Sequence, residues 1–548
     1  MKTYTAHLNY EATENSVIDK INISDFVDIL KYPAFSAWIN VGGWQSWSPG
    51  FEVAPGKKQP SLTTPFIKGW NNYLLFPNSS FKADKNMVLG QFVTYLRWGD
   101  FYLVFASVGN IARTLPPVQF IIDRKNNCVF IEICDKGNVW RPDDITAQIE
   151  IFTAASYFDC KNKLREIFDY MHFSRLAHLG SNPAGWESWY NHYSNINESL
   201  ILEDLEKLSS TENIISRGDS LGLYTSKIFQ IDDGWEQALG DWQVRTDRFP
   251  RGFNSLVEKI EAKGFIPGLW IAPFIIDSRS KTAAQHPDWL LRNAKGELIV
   301  AGYNPLWGKK GSFYCLDLSN DKVIEYLDKL METLIEDWGF RYIKLDFLYA
   351  GMLYGDYINK TASYKVYNRA VKTLTARNTN KRGQALTYLG CGLPFELSFK
   401  YMPLSRIGCD TYEHWKNPLG RALRWNGRNE AYLNLKDTLG HALWNRTIFA
   451  NDPDVFFLRT QNCSLSREEK LLIAKINTLF GSQFMYSDDP GRAGLEEGRL
   501  TQEILEFRKK YAYQEFGITQ TGPDCYEIFT ENGEIKGKID LSKRSIAW

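Results

Sequence analysis

FRYIKLDFLYAG, residues 340–351, carries the decisive pattern of this chain: an apolar run that stops at a carboxylate, Asp346. LSRIGCD, residues 404–410, repeats the pattern and stops at Asp410. A carboxylate at the end of a buried strand is unfavourable unless something nearby uses its charge. Side chains alternate along a strand, so Lys344 and Asp346 leave on one face, and Arg406 and Asp410 share a face likewise. Each aspartate then has a fixed cation on its own side, and Gly408 leaves room for a substrate between Arg406 and Asp410. Structural ion pairs at strand ends would explain either string alone. The two together suggest a site.

Upstream of the first string lies a helical stripe, Val323, Ile324, Leu327, Leu330, Met331, Leu334 and Ile335, which predicts a helix over 321–337. Ser319 or Asn320 would cap it and Gly339 would end it. Strands alternating with helices continue on both sides. The candidate strands are PAGWESWY (183–190), KIFQIDD (227–233), FIPGLWIAPF (265–274), RYIKLDF (341–347), ALTYLGC (385–391), LSRIGCD, NDPDVFF (451–457) and SQFMYSDD (482–489). Eight strands with polar or aromatic C-terminal ends predict a (β/α)8 barrel with its site at that face. The competitor is a doubly wound open sheet, which would normally carry a Gly-rich first turn, and no GxGxxG or Walker pattern follows any strand.

Before about residue 170 the texture is all-β, as in NMVLGQFVTYLRWG and FYLVFASVG between turn residues, and β texture returns from about 512. The expected organisation is an N-terminal β-sandwich domain (1–175), the barrel (176–505) and a small C-terminal β-domain (506–548). Lys plus Arg equals Asp plus Glu at 64 each, so no polyanionic partner, nucleic acid or anionic membrane surface is indicated. Aromatic residues reach 14%, and flat rings that exceed packing needs suit sugar faces. The polar start MKTYTAHLNYEATENS has no signal-like apolar core, and no stretch is apolar enough to span a bilayer, which predicts a cytoplasmic protein. Eight cysteines without a CxxC pair indicate neither a zinc site nor a disulfide framework. The Asn-x-Ser/Thr triplets at Asn78, Asn197, Asn359 and Asn445 read as chance matches in an unexported chain.

FQIDDGW ends a strand in adjacent carboxylates, Asp232 and Asp233. Such a pair can accept several sugar hydroxyls and repels itself without partners or a cation. Metal binding ranks lower, because no histidine or third carboxylate stands at ligand spacing nearby. Two strand-end aspartates, with a carboxylate pair able to hold sugar hydroxyls, suggest a retaining glycosidase, and no cofactor or metal is expected.

WQSW (44–47), GWESWY (185–190), QIDDGW, DWQVRTDRFP (241–250), GFIPGLWIAPF, HPDWL (286–290), YIKLDFLYAG, LGCG (389–392) and RIGCDT (406–411) occur in one order along nearly the whole chain. By these motifs the sequence resembles the α-galactosidases of glycoside hydrolase family 36, in their short bacterial form. The resemblance implies retention, with Asp346 as nucleophile and Asp410 as acid/base. It implies Asp232 and Asp233 on the O4 and O6 hydroxyls, Lys344 and Arg406 positioning the sugar, and Trp270, Trp189, Tyr190, Cys391 and Trp47 lining the pocket. Two departures stand out: Glu187 where short members often have cysteine, and Cys409 where proline commonly precedes the acid/base aspartate. The first could alter hydrogen bonding at the pocket floor, and the second could loosen the backbone that aims Asp410. The leading expectation is an exo-α-galactosidase on small galactosides of the melibiose or raffinose type. An α-N-acetylgalactosaminidase, a raffinose-synthase-like galactosyltransferase and a catalytically silent sugar-binding protein stay open, as does homo-oligomerisation.

Overall fold

A computed structural model describes residues 2–8, 17–60, 81, 84–133, 145–168, 170–304, 307, 311–418, 429–492 and 494–548. Cys134 and the triplet at Asn78 lie outside these residues. The expected helix forms as Asp321–Glu332, burying Val323, Ile324, Leu327, Leu330 and Met331. Its cap is Asn320, whose Oδ1 accepts from Lys322 N at 3.0 Å. Ser319 instead donates its hydroxyl to Asp317 Oδ1 at 2.7 Å. The last turn widens into a π-helix over Thr333–Asp337, and Gly339 at φ +87° ends it in the left-handed region.

Each of the eight expected strand stretches contains a strand: β1 Ala184–Glu187, β2 Lys227–Ile231, β3 Ile266–Ile271, β4 Tyr342–Leu345, β5 Thr387–Gly390, β6 Leu404–Arg406, the split pair β7 Ala450–Asp452 and β8 Val455–Phe456, and β9 Phe484–Tyr486. They form one sheet in the order β7-β6-β5-β4-β3-β2-β1-β9-β8, with every neighbouring pair parallel. Its two edge strands, β7 and β8, are separated only by Pro453 and Asp454. The sheet therefore curls until its edges meet in one chain segment, as in a TIM-like barrel. Pro453 has no N–H for the ladder, which accounts for the break.

Two antiparallel sheets precede the barrel. One has six strands, among them Trp38–Asn40, Val93–Trp98, Phe101–Ser107 and Ile145–Ala154; the other has four, among them Met87–Gln91 and Val118–Asp123. One apolar cluster joins them, with Ile39, Leu103, Phe105 and Ile149 against Val88, Phe120, Ile122 and Val129. A four-stranded antiparallel sheet from Gly517 to Ala547 follows the barrel.

The segment 41–50 enters the barrel mouth. Phe395 N donates to Trp44 O at 2.9 Å, and His441 is buried between Gly42 O and Ile407 O. Glu396 is buried too, and its carboxylate accepts from Ser107 Oγ at 2.5 Å and Val118 N at 2.9 Å, tying a barrel helix to the first sheets. These bonds fix Trp47 over the barrel, its ring 5.1 Å from Phe347.

Candidate active site

The two decisive aspartates sit just past their strands. Asp346 follows the last residue of β4, and Asp410 lies in the loop four residues beyond β6. Asp346 Oδ2 accepts from Trp270 Nε1 at 2.9 Å, and Oδ1 from Phe347 N at 2.8 Å. Lys344 is expected beside Asp346, but its ammonium lies 2.8 Å from Asp232 Oδ2 and 3.6 Å from Glu187 Oε2. Its ion-pair partners are thus those carboxylates rather than Asp346. Inside a barrel, inward side chains meet residues from strands other than their own.

Arg406 does pair with Asp410, Nη1 to Oδ1 at 3.3 Å. Its shorter bonds go to Asp452 Oδ2 at 2.8 Å and Asp454 Oδ1 at 2.7 Å, two carboxylates the sequence reading left inside a strand. Arg406 and Asp452 are register partners of β6 and β7. On the side where a Cβ of Gly408 would stand there is a helix rather than substrate space: the Cβ would lie 3.0 Å from Asp437 Cβ, in helix Ala431–Gly440. The same helix pins the backbone that aims Asp410, since Asn434 Nδ2 donates to Cys409 O at 2.6 Å.

Asp232 is oriented from three sides. Its second oxygen also accepts from Gln230 Nε2 at 2.8 Å, its backbone N–H donates to Ser188 Oγ at 2.9 Å, and Asp233 N donates to its Oδ1 at 3.0 Å. Asp233 takes a bond from Trp307 Nε1 at 3.2 Å, a residue no sequence period marks. Glu187 Oε2 accepts from Gln230, its register partner on β2, at 3.1 Å, while Oε1 is buried with no hydrogen-bond partner among the described residues. Cys391 is buried near Asp346, whose charge adds to burial in raising its thiol pKa. Trp189 is half-buried at the rim, 5.3 Å from the Tyr193 ring. Tyr190 is buried behind the site and donates to Asp454 Oδ2 at 3.2 Å.

Burial, together with the carboxylates and cations that face one another here, shifts several of these titrations. Burial opposes the charge of Lys344, but Asp232 and Glu187 more than offset it, so its pKa stands well above the lysine value. Arg406 is held charged in the same way by Asp454 and Asp452. Several neighbouring carboxyls are shifted upward. Burial, with Asp454 beside it, pushes Asp410 up to about 7. Burial, with Asp232 adding to it, pushes Glu187 up to about 8. Asp233 is raised by burial and by Glu236. The site thus combines a carboxylate oriented by two donors with a carboxyl that titrates near neutrality. That pairing can attack carbon and deliver a proton. Among the described residues no group of three or more His, Cys, Asp or Glu could hold a metal ion.

The melibiase family model matches residues 200–361. Over 140 residues the chain is 31% identical to alpha-galactosidase 1 of Pediococcus pentosaceus, covering 24% of this chain and 18% of that protein. Over 171 residues it is 27% identical to the Escherichia coli alpha-galactosidase, covering 30% and 21%. These matches span about a fifth of the length of those relatives. The Thermus thermophilus alpha-galactosidase, solved with p-nitrophenyl alpha-D-galactopyranoside, superposes with a TM-score of 0.70 and 26% identity over 93% of this chain and 92% of that one. The Geobacillus stearothermophilus GH36 alpha-galactosidase AgaA shares the fold, with a TM-score of 0.57 at 14% identity over 91% and 66%. The family model thus covers under a third of the chain, while over more than nine-tenths of its length the chain is similar in fold to the Thermus α-galactosidase.

Proposed function

We propose that this protein is a retaining exo-α-galactosidase that releases terminal α-galactosyl residues from small galactosides. The observation that carries the reading is the asymmetry of the two aspartates: Asp346 is oriented by Trp270 and a backbone N–H, while Asp410 opens to the mouth and titrates at about 7. In the first step Asp410 gives its proton to the glycosidic oxygen. The bond from that oxygen to the anomeric carbon breaks as Asp346 Oδ forms an ester to the carbon. In the second step Asp410, now ionised, takes a proton from water, whose oxygen displaces Asp346 and leaves galactose with its configuration retained. Retention calls for carboxyl groups about 5 to 5.5 Å apart.

Asp232 and Asp233 would take the O4 and O6 hydroxyls, with Lys344 and Arg406 holding the sugar and Trp270, Cys391, Trp189, Tyr190 and Trp47 shaping or backing the pocket. Polar groups aimed at an axial O4 are left unpaired by the glucose epimer, which makes the choice strong. The Thermus relative solved with stachyose supports a small oligosaccharide as substrate. The two N-terminal sheets and the terminal meander fit the division into a β-sandwich (1–175), barrel (176–505) and C-terminal β-domain (506–548). The seven described cysteines are all unbridged, and no described helix is long and apolar enough to cross a membrane. Unbridged thiols fit a cytoplasmic setting.

The test is hydrolysis of p-nitrophenyl α-galactoside by the wild type and by Asp346→Ala, the latter with and without azide. Release by the wild type, its loss in the variant and rescue to the β-galactosyl azide are expected. A wild type inert on this substrate, and on its α-GalNAc and α-glucoside analogues, would favour a transferase or a binding protein.

A further inference from the structure

Two tyrosines at the mouth of the site stand in the left-handed backbone region, Tyr193 at φ 50° and Tyr412 at φ 59°. For a bulky residue that conformation persists only where the surroundings over-determine it. The double displacement uses neither side chain. Tyr193 closes the short helix after β1, and Tyr412 follows Asp410 by two residues. Both are half-buried, and the Tyr190 ring lies 6.2 Å from one and 6.5 Å from the other. The Asp410 charge reaches the Tyr412 hydroxyl.

A buried polar chain holds Tyr193 through Glu413, the residue after Tyr412. Tyr193 Oη donates to Glu413 Oε1 at 2.5 Å, the same oxygen accepts from Arg459 Nη2 at 2.6 Å, and Arg459 Nη1 donates to Asp488 Oδ1 at 2.9 Å. Glu413, Arg459 and Asp488 are all buried. They follow β6, β8 and β9, and Tyr193 follows β1, so the chain ties the loops of successive barrel strands together on the Asp410 side. Core packing would bury the rings that such a brace fixes. Here they stay partly open.

We propose that Tyr193 and Tyr412, with Trp189 edge-on beside them, form the platform for the leaving group of the galactoside, either a second pyranose ring or an aryl aglycone. The inference rests on the glycosidase reading above. The acid must face the glycosidic oxygen, so the leaving group lies on the side of Asp410, whose side chain is 35% exposed. Ring faces stack on the apolar face of a pyranose or on an aryl ring. Because the Tyr193 hydroxyl hydrogen goes to Glu413, that residue offers its ring and no donor to the leaving group, and the platform tolerates varied aglycones.

The test compares kcat/KM on raffinose and p-nitrophenyl α-galactoside with kcat/KM on α-galactosyl fluoride, whose leaving group is one atom. For Tyr412→Ala and Tyr193→Ala the ratio of either large substrate to the fluoride should fall about tenfold. Tyr412→Phe, which keeps the ring, should recover most of it. Equal losses on all three substrates, or no change in the ratio, would overturn the platform while leaving the glycosidase reading intact. A wild type inert on all three would overturn that reading, and the platform with it.

Discussion

Trp270 Nε1 donates to Asp346 Oδ2 across 2.9 Å, reaching from β3 to the residue just past its neighbour β4. The indole is itself buried, 6.1 Å from the Trp242 ring and 6.3 Å from that of Trp307. Phe347 at φ 54° turns its N–H back onto Asp346 Oδ1. One donor from the next strand and one from a strained backbone thus aim both oxygens. Backbone strain of this kind collects where a site needs a group held in one orientation.

Removing the indole donor while keeping an apolar ring should lower turnover without unfolding the barrel. A hydrogen bond to a charged group is worth about 1.5–3 kcal/mol, so Trp270→Phe should lose about 10- to 100-fold in kcat/KM on p-nitrophenyl α-galactoside. Steady-state kinetics beside a circular dichroism spectrum checks this. A loss below about twofold would mean that Asp346 does not depend on Trp270 for its orientation.

Much of this was legible in the sequence, for reasons that also mark where legibility ends. Apolar runs bounded by turns located all eight strand stretches, because burial on both faces leaves a continuous signal. Strand parity placed Lys344 on the face of Asp346 and Arg406 on that of Asp410. It could not say whom they meet, because partners across a barrel are set by ring closure, and so Lys344 was matched to Asp346 rather than to Asp232 and Glu187. NDPDVFF displayed two carboxylates flanking a proline, a signal comparable to IDD, yet Asp452 and Asp454 were read only as strand. Gly408 was read as substrate space because a missing side chain does not reveal which neighbour fills it. Trp307 carried no periodic signal at all.

Asp410 should impose an alkaline limb on the pH profile. Burial and the charge of Asp454 push its carboxyl up to about 7, with Arg406 and Lys344 pulling the other way. Proton donation needs the protonated form, so kcat/KM should be flat below neutrality on this limb. It should fall with rising pH about a midpoint near 7, because kcat/KM reports the free enzyme. The profile on raffinose from pH 5 to 10 measures it. A limb that begins only above pH 9 would remove Asp410 from the role of acid.

Glu187 provides a separate test on stability. Burial, with Asp232 and Asp454 adding to it, pushes its carboxyl up to about 8, against about 4.3 in an unfolded chain. Between those values the folded protein keeps a proton that the unfolded chain has released, so the folded state loses stability as pH rises through the window. The loss is on the order of a few kcal/mol. Glu187→Gln should escape it. The amide oxygen can keep the bond from Gln230, and the NH2 takes the place of Oε1, which has no hydrogen-bond partner among the described residues. The variant has no proton to lose, so its melting temperature relative to wild type should climb between pH 5 and pH 8. Differential scanning fluorimetry across that range is the measurement. A difference that stays constant would mean that Glu187 is already ionised at pH 5, neutralised by Lys344 at 3.6 Å rather than by a proton.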